Sequence, residues 1–187
     1  MIKRNIYLKN ILIILLFLVD GSGSVGQTDF NTQTQILQQL MDAFDISNSL
    51  HRVAYVQFSS SARLEFDYIE DKNDLITAIG NVNYMGGSTY TGAALQFVYD
   101  NLISTAGRNN ARQAILVLND GGSNDEVGSI ASNLRNAGIQ MFAMGYKGAS
   151  YSELLEITDN PDTVFMGNLA TDLLAFRPEL TGQICKI

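Results

Sequence analysis

The chain has 187 residues, of which 46% are hydrophobic and 17% charged, with two prolines and no tryptophan. That mixture fits one packed domain and excludes a disordered, collagenous or disulfide-stapled chain. Twelve Lys and Arg against nineteen Asp and Glu leave a formal charge of −7, which argues against affinity for nucleic acid or an anionic membrane, since both need a cationic face.

Residues 1–19 begin with Lys3, Arg4 and Lys9 and run into nine apolar residues, Ile11 to Val19. Nine are too few to span a bilayer. The run fits either the hydrophobic region of a signal peptide or a central strand of a parallel sheet, apolar throughout because both faces are covered. Asp20 follows Val19 directly, where a leader would place a small-residue cleavage site, and opens the loop Asp20-Gly21-Ser22-Gly23-Ser24-Val25-Gly26. The strand is therefore preferred. Residues 1–10 are then an N-terminal extension or leader remnant, 11–184 the domain, and 185–187 a C-terminal tail.

Leu37, Leu40, Met41 and Phe44 fall at helical spacing, predicting a helix from about Asp29 to Asp45. Arg52 to Phe58 reads as a strand, Ser59-Ser60-Ser61 as a short loop, and the alternation of Ala62, Leu64, Phe66 and Tyr68 with polar residues as an antiparallel edge strand with one wet face. A helix is expected from Asn73 to Ile79, a glycine loop at Gly86-Gly87, and a helix carrying Leu95, Val98, Tyr99 and Leu102. Strand Ala114 to Leu118 leads into Asn119-Asp120-Gly121-Gly122. The following helix carries Val127, Ile130, Ala131 and Leu134, with Ser123 and Glu126 as a capping box at its start. Strand Ile139–Met144, a helix near Ser152–Ile157, a strand near Thr163–Met166 and a last helix with Leu169, Leu173 and Phe176 complete the order. Such alternation predicts an α/β fold: a doubly wound, mostly parallel six-stranded sheet with one antiparallel edge strand and helices on both faces, Rossmann-like.

In such sheets ligands bind beyond the carboxyl ends of the strands, where connections leave in opposite directions. Three loops qualify: Asp20 to Gly26, Gly86 to Gly92, and Asn119 to Ser123. They supply two carboxylates, Asp20 and Asp120, and hydroxyls including Ser22, Ser24, Thr89 and Thr91. Oxygen donors with no His or Cys suit a hard ion in octahedral geometry, Mg2+ with Mn2+ as a substitute, and disfavour zinc. Side chains two apart can turn the same way while Gly21 and Gly23 let the backbone curl.

Asp20-Gly-Ser22-Gly-Ser24, then Gly87-Ser-Thr89-Tyr-Thr91-Gly92, then Leu118-Asn-Asp120-Gly121 resemble the von Willebrand factor A domain, in order, from about residue 12 to 183. The resemblance implies a metal-ion-dependent adhesion site made of Asp20, Ser22, Ser24, Thr89 and Asp120, supported by Gly21, Gly23, Thr91 and Gly121. It implies that a Glu or Asp of a protein partner completes the metal shell, so that the domain binds and does not catalyse. Collagen, other matrix proteins and receptor ectodomains all fit as partners, and Tyr90 is the aromatic expected to be exposed for contact. Members with coupled sites shift their last helix, here about 169–181. Asn119 replaces a common Thr, and Cys185 has no partner among these residues for the disulfide that extracellular members often carry. The closing Glu179 to Cys185 resembles extracellular members, making secretion the expected localisation.

Competing readings attach to the same residues. Gly21-x-Gly23-x-x-Gly26 matches a dinucleotide fingerprint, but Asp20 would lie beside the pyrophosphate and no acid follows the next strand to hold a ribose. A phosphatase of the haloacid dehalogenase type needs a second Asp where Ser22 stands. Ser22 or Ser24 as a nucleophile needs a base, and the single histidine, His51, begins a strand at the other end of the sheet. Asp120 is by itself an ordinary turn residue, and Asp125 is expected at the N-terminus of the helix that follows it. A metal-independent scaffold of the same fold is the alternative function.

Overall fold

An apolar run without alternation must pair on both edges and pack on both faces, and strand β1 (Ile13–Asp20) does both. In the computed structural model, which describes residues 13–44, 51–103 and 111–187, β1 pairs in parallel with β2 (His51–Phe58) and β4 (Arg112–Asn119). The sheet is completed by β3 (Ala62–Ile69), β5 (Gln140–Gly145) and β6 (Val164–Met166) in the order β3-β2-β1-β4-β5-β6, with β3 alone antiparallel. Six strands, one antiparallel edge and helices on both faces match the expected architecture. The 1–10 extension, Ile11, Leu12 and Asp45 lie outside the described residues.

Alternate residues of β1 feed two cores. Ile13, Leu15, Phe17 and Val19 pack beneath α1 (Gly26–Ala43), α2 (Lys72–Gly80) and α6 (Arg177–Ile184). Leu16 and Leu18 pack beneath α3 (Thr91–Val98), α4 (Gly128–Asn136) and α5 (Tyr151–Thr158). The α3 stripe continues through a π-helical turn, Tyr99–Ile103.

Two expectations are corrected. The alternation of β3 does not place its apolar residues on one face: Phe66 and Ile69 pack on the α1 side, Ala62 and Tyr68 on the α3 side, and Leu64 is exposed. Irregular pairing between Val53 and Val56 causes this, because a one-residue slip exchanges faces. The last helix is split into a 3-10 segment, Ala170–Phe176, and α6, whose first turn contains Pro178. Leu169 precedes both and is 60% exposed, held extended while the Asp172 carboxylate accepts the Asn168 and Leu169 N–H groups.

Phe17 has no exposed surface and meets Tyr55 edge-on at 6.3 Å between ring centroids. Phe17→Ala should cost about 3–5 kcal/mol of unfolding free energy, from lost burial plus the cavity left behind. Urea unfolding checks this, and a cost under about 1 kcal/mol would contradict the central place of β1.

Candidate metal centre

β1 and β4 are neighbours, and their carboxyl ends deliver Asp20 and Asp120 side by side at the point where the chain's connections diverge. Both side chains are buried, Asp20 completely and Asp120 to within 2%. The Asp20 Oδ1 accepts the Ser22 N–H at 2.7 Å, closing a turn that aims the loop back over the strand end. Ser24 Oγ donates to Asp120 Oδ1 at 2.8 Å, and the Ser22 and Ser24 hydroxyls lie 3.0 Å apart. One hydrogen-bonded chain thus joins the first loop to the third.

The second loop is bound to the first through the backbone: Gly23 N donates to Gly87 O at 2.7 Å and Gly86 N to Gly21 O at 2.8 Å. Close approach, and not tight curling, is what requires Gly21 and Gly23. A side chain at Gly21 would collide with Gln57, and one at Gly23 would sit 3.2 Å from the Gly87 carbonyl. Gly86 and Gly87 have φ of 72° and 105°, the left-handed region that favours glycine. Gln57 has no counterpart among the residues expected from sequence. It is a buried amide in an apolar strand that donates to Glu65 and the Asn83 carbonyl and accepts from Met85 N, so it fastens the second loop under the first.

Thr89 is buried and its carbonyl accepts the Asn124 N–H at 2.8 Å, while the Thr91 N–H donates to Ser123 Oγ at 3.0 Å. Ser123 and Glu126 do not form the expected capping box. The helix α4 begins only at Gly128, Ser123 turns toward α3, and its N–H is taken by the Glu153 carboxylate at 2.8 Å. Asp125 likewise serves the preceding helix: its two oxygens accept the Gly92 and Ala93 N–H groups at 2.9 and 2.7 Å, capping the start of α3. Tertiary placement overrides the local spacing in both cases. Gly121 donates to Asn119 Oδ1 and has open space around it, so nothing there demands glycine. Tyr90, between Thr89 and α3, is 38% exposed.

Burial pushes the Asp20 carboxyl from the ordinary 3.8 up to about 6, with the Asp120 charge adding to the shift and the Ser22 N–H opposing it. One oxygen of each carboxylate, Asp20 Oδ2 and Asp120 Oδ2, is buried without a hydrogen-bond donor, as is Thr91 Oγ1. Buried acceptors left in this way, beside neutral hydroxyls, are the arrangement that a hard cation satisfies. No group of three His, Cys, Asp or Glu that could hold a metal ion gathers among the described residues. A cation that no sequence motif points to also enters: Lys147 Nζ lies 3.7 Å from Asp120 Oδ2 and pairs with Asp29.

The sequence profile of the von Willebrand factor type A domain matches residues 15–176. The chain belongs to this family. Relatives include the collagen alpha-1(XII) chain of Notophthalmus viridescens, 32% identical over 177 residues that cover 91% of this chain and 19% of that one. Human matrilin-1 is 38% identical over 151 residues, covering 79% and 30%. The chain therefore spans less than a third of the length of these relatives, which are extracellular-matrix proteins and not enzymes. Among solved structures, proximal thread matrix protein 1 from the mussel byssus superposes with a TM-score of 0.88 at 23% identity over 94% of this chain and 49% of that one. Manganese-loaded TRAP protein of Plasmodium vivax gives 0.77 at 21% over 91% and 74%. The mussel protein is also known with zinc occupying its metal-ion-dependent adhesion motif.

The von Willebrand factor A fold also disposes of the dinucleotide reading by its hydrogen bonds. The N–H groups of Gly21, Ser22 and Gly23, which would have to cradle a pyrophosphate, are spent on Phe58 O, Asp20 Oδ1 and Gly87 O. His51 is buried at the amino end of β2, away from both serines.

The raised Asp20 value gives a signed expectation. Below pH 3.8 the carboxyl is neutral in folded and unfolded chains alike; as pH rises toward about 6 the unfolded chain ionises first, so folding stability falls across that window. In chelator, Asp20→Asn should therefore match the wild type near pH 4 and exceed it by about 3 kcal/mol above pH 6, because each tenfold loss of acidity on folding corresponds to about 1.4 kcal/mol. Urea unfolding at several pH values measures this, and two parallel stability curves would refute it.

Proposed function

We propose that the domain binds a divalent cation, Mg2+ with Mn2+ as a substitute, through Asp20, Ser22, Ser24, Thr89 and Asp120, and uses it to hold a Glu or Asp of an extracellular protein partner. The observation that carries this reading is the pair of buried carboxylates at the ends of β1 and β4, each with one oxygen lacking a donor, joined by the Ser22 and Ser24 hydroxyls. A bound divalent ion supplies an electrophilic site that an acid can occupy.

The chain's own residues account for the rest. Two carboxylates balance the charge of a divalent ion, and hydroxyl donors add no further charge, so the site keeps its appetite for an anionic group. Gly21 and Gly23 hold the first loop against the second, Thr91 and Gly121 support the second and third, and Asp125 fixes the start of α3 beside Thr89. Tyr90 stands exposed at the rim, an amphipathic ring suited to partner contact. The family relatives support a matrix or receptor partner, collagen among them, and a secreted or extracellular setting. No helix among the described residues is long and apolar enough to cross a membrane. The domain is proposed to span residues 11–184, with 185–187 as a C-terminal tail.

Calorimetric titration with Mg2+ and Mn2+ tests the site. Wild type should bind one ion, and Asp120→Ala should lose binding altogether while keeping its circular dichroism spectrum. Unchanged affinity in Asp120→Ala would overturn the assignment. Adhesion to immobilised collagen or another matrix protein should vanish in EDTA and return with Mg2+. Chelator-resistant adhesion would instead establish the metal-independent scaffold.

A further inference from the structure

Lys147 is one of two non-glycine residues with positive φ among the described residues, at 52°. A side chain in that region is uncommon and carries a cost, so the surroundings must fix it. They do so from both sides. Tyr146 N donates to Asn119 O at 3.3 Å and Gly148 N to Asp120 O at 3.0 Å, so the residues flanking Lys147 clasp the end of β4. Lys147 N itself donates to Asn168 O, and the fully buried Tyr146 hydroxyl accepts from Gln33 of α1 at 2.9 Å. From this fixed backbone the side chain reaches back across the site. Its ammonium pairs with Asp29, donates to the Ser24 and Val25 carbonyls at 3.2 and 3.3 Å, and stands 3.7 Å from Asp120 Oδ2. That last oxygen is the one with no hydrogen-bond donor. At 3.7 Å the ammonium offers charge without a bond, so it stabilises the carboxylate while leaving the oxygen open.

We propose that Lys147 is a resident counter-ion of the metal-ion-dependent adhesion site: it steadies Asp120 and the Ser24 end of the first loop in the absence of a divalent ion, and weakens the site's affinity for one. The inference rests on the metal-binding reading above. A divalent ion held by Asp120 is repelled by a fixed positive charge a few ångströms from the same carboxylate. Asp29 offsets that repulsion in part, and the 39% exposure of the Lys147 side chain makes the remainder sensitive to salt.

The test titrates Mg2+ and Mn2+ into the full chain and into Lys147→Asn, Lys147→Gly and Lys147→Arg. Asn and Gly both accept the left-handed backbone and remove the charge, so either serves if the other folds poorly. Both should bind the ions roughly tenfold more tightly than wild type at low ionic strength, with the gain shrinking in about 0.5 M salt, while Lys147→Arg stays near wild type. Neutral variants that bind no tighter than wild type, or a gain shared by Lys147→Arg, would overturn the counter-ion role while leaving the metal site standing. Absence of ion binding in wild type and neutral variants alike would overturn both.

Discussion

Everything at the carboxyl end of this sheet answers to one difficulty: two aspartates, at the ends of adjacent strands, have been taken out of water together. Burial disfavours the charged form of Asp20, and the neighbouring Asp120 charge adds repulsion, as the raised Asp20 value records. A fold selected only for stability would replace one of them by an apolar or amide group. That both are kept, with buried oxygens free of donors, is a standing cost that makes sense as preorganisation for a cation, since a site already assembled need not be ordered when the ion arrives.

The surrounding loops are built to bear that cost. Each depends on a polar or glycine residue whose partner is distant in sequence: Gln57 beneath Gly21, Gly23 against Gly87, Ser24 on Asp120, Asp125 on the start of α3. The loops lie over two apolar cores separated by the sheet, so the strand ends cannot spread without opening one core or the other. Rigidity of the site is in this sense inherited from β1, whose alternate side chains belong to both.

Sequence legibility followed the range of the interactions. The strands and helices, their order, and the three loops could be read because hydrophobic period and chain order are local properties, and Asp20 could be read because it ends an apolar run. Where the outcome depended on a distant partner, spacing misled. Ser123-x-x-Glu126 has the form of a capping box and Asp125 the position of a helix start, yet Ser123 and Asp125 are both claimed by α3, a helix earlier in the chain. The β3 alternation was regular in sequence and broken by pairing with β2. Lys147 carries no local signal: a lysine after a strand reads as solvated surface, and only the superposition of the β5 loop on the β4 end brings it to Asp120. A glycine-like position filled by lysine would have been the clue, but positive φ is not visible in a single sequence.

The charge balance joins these observations. The chain's net −7 means that an acidic partner approaches against the field of the whole domain, with screening beyond roughly 8 Å at physiological ionic strength. On the proposed reading, long-range steering works against capture of a carboxylate, and the attraction would be generated at contact, by a cation between the two carboxylates. Asp20 and Asp120 against a divalent ion come to zero, and Asp29 against Lys147 comes to zero. With the proposed ion in place the site would be locally neutral, and an acid joining it would meet no net repulsion within the shell. Raising ionic strength weakens the unfavourable field of the domain more than the short contacts inside the site, so capture of an acidic residue by this surface should tolerate salt better than an ordinary pairing of oppositely charged surfaces does.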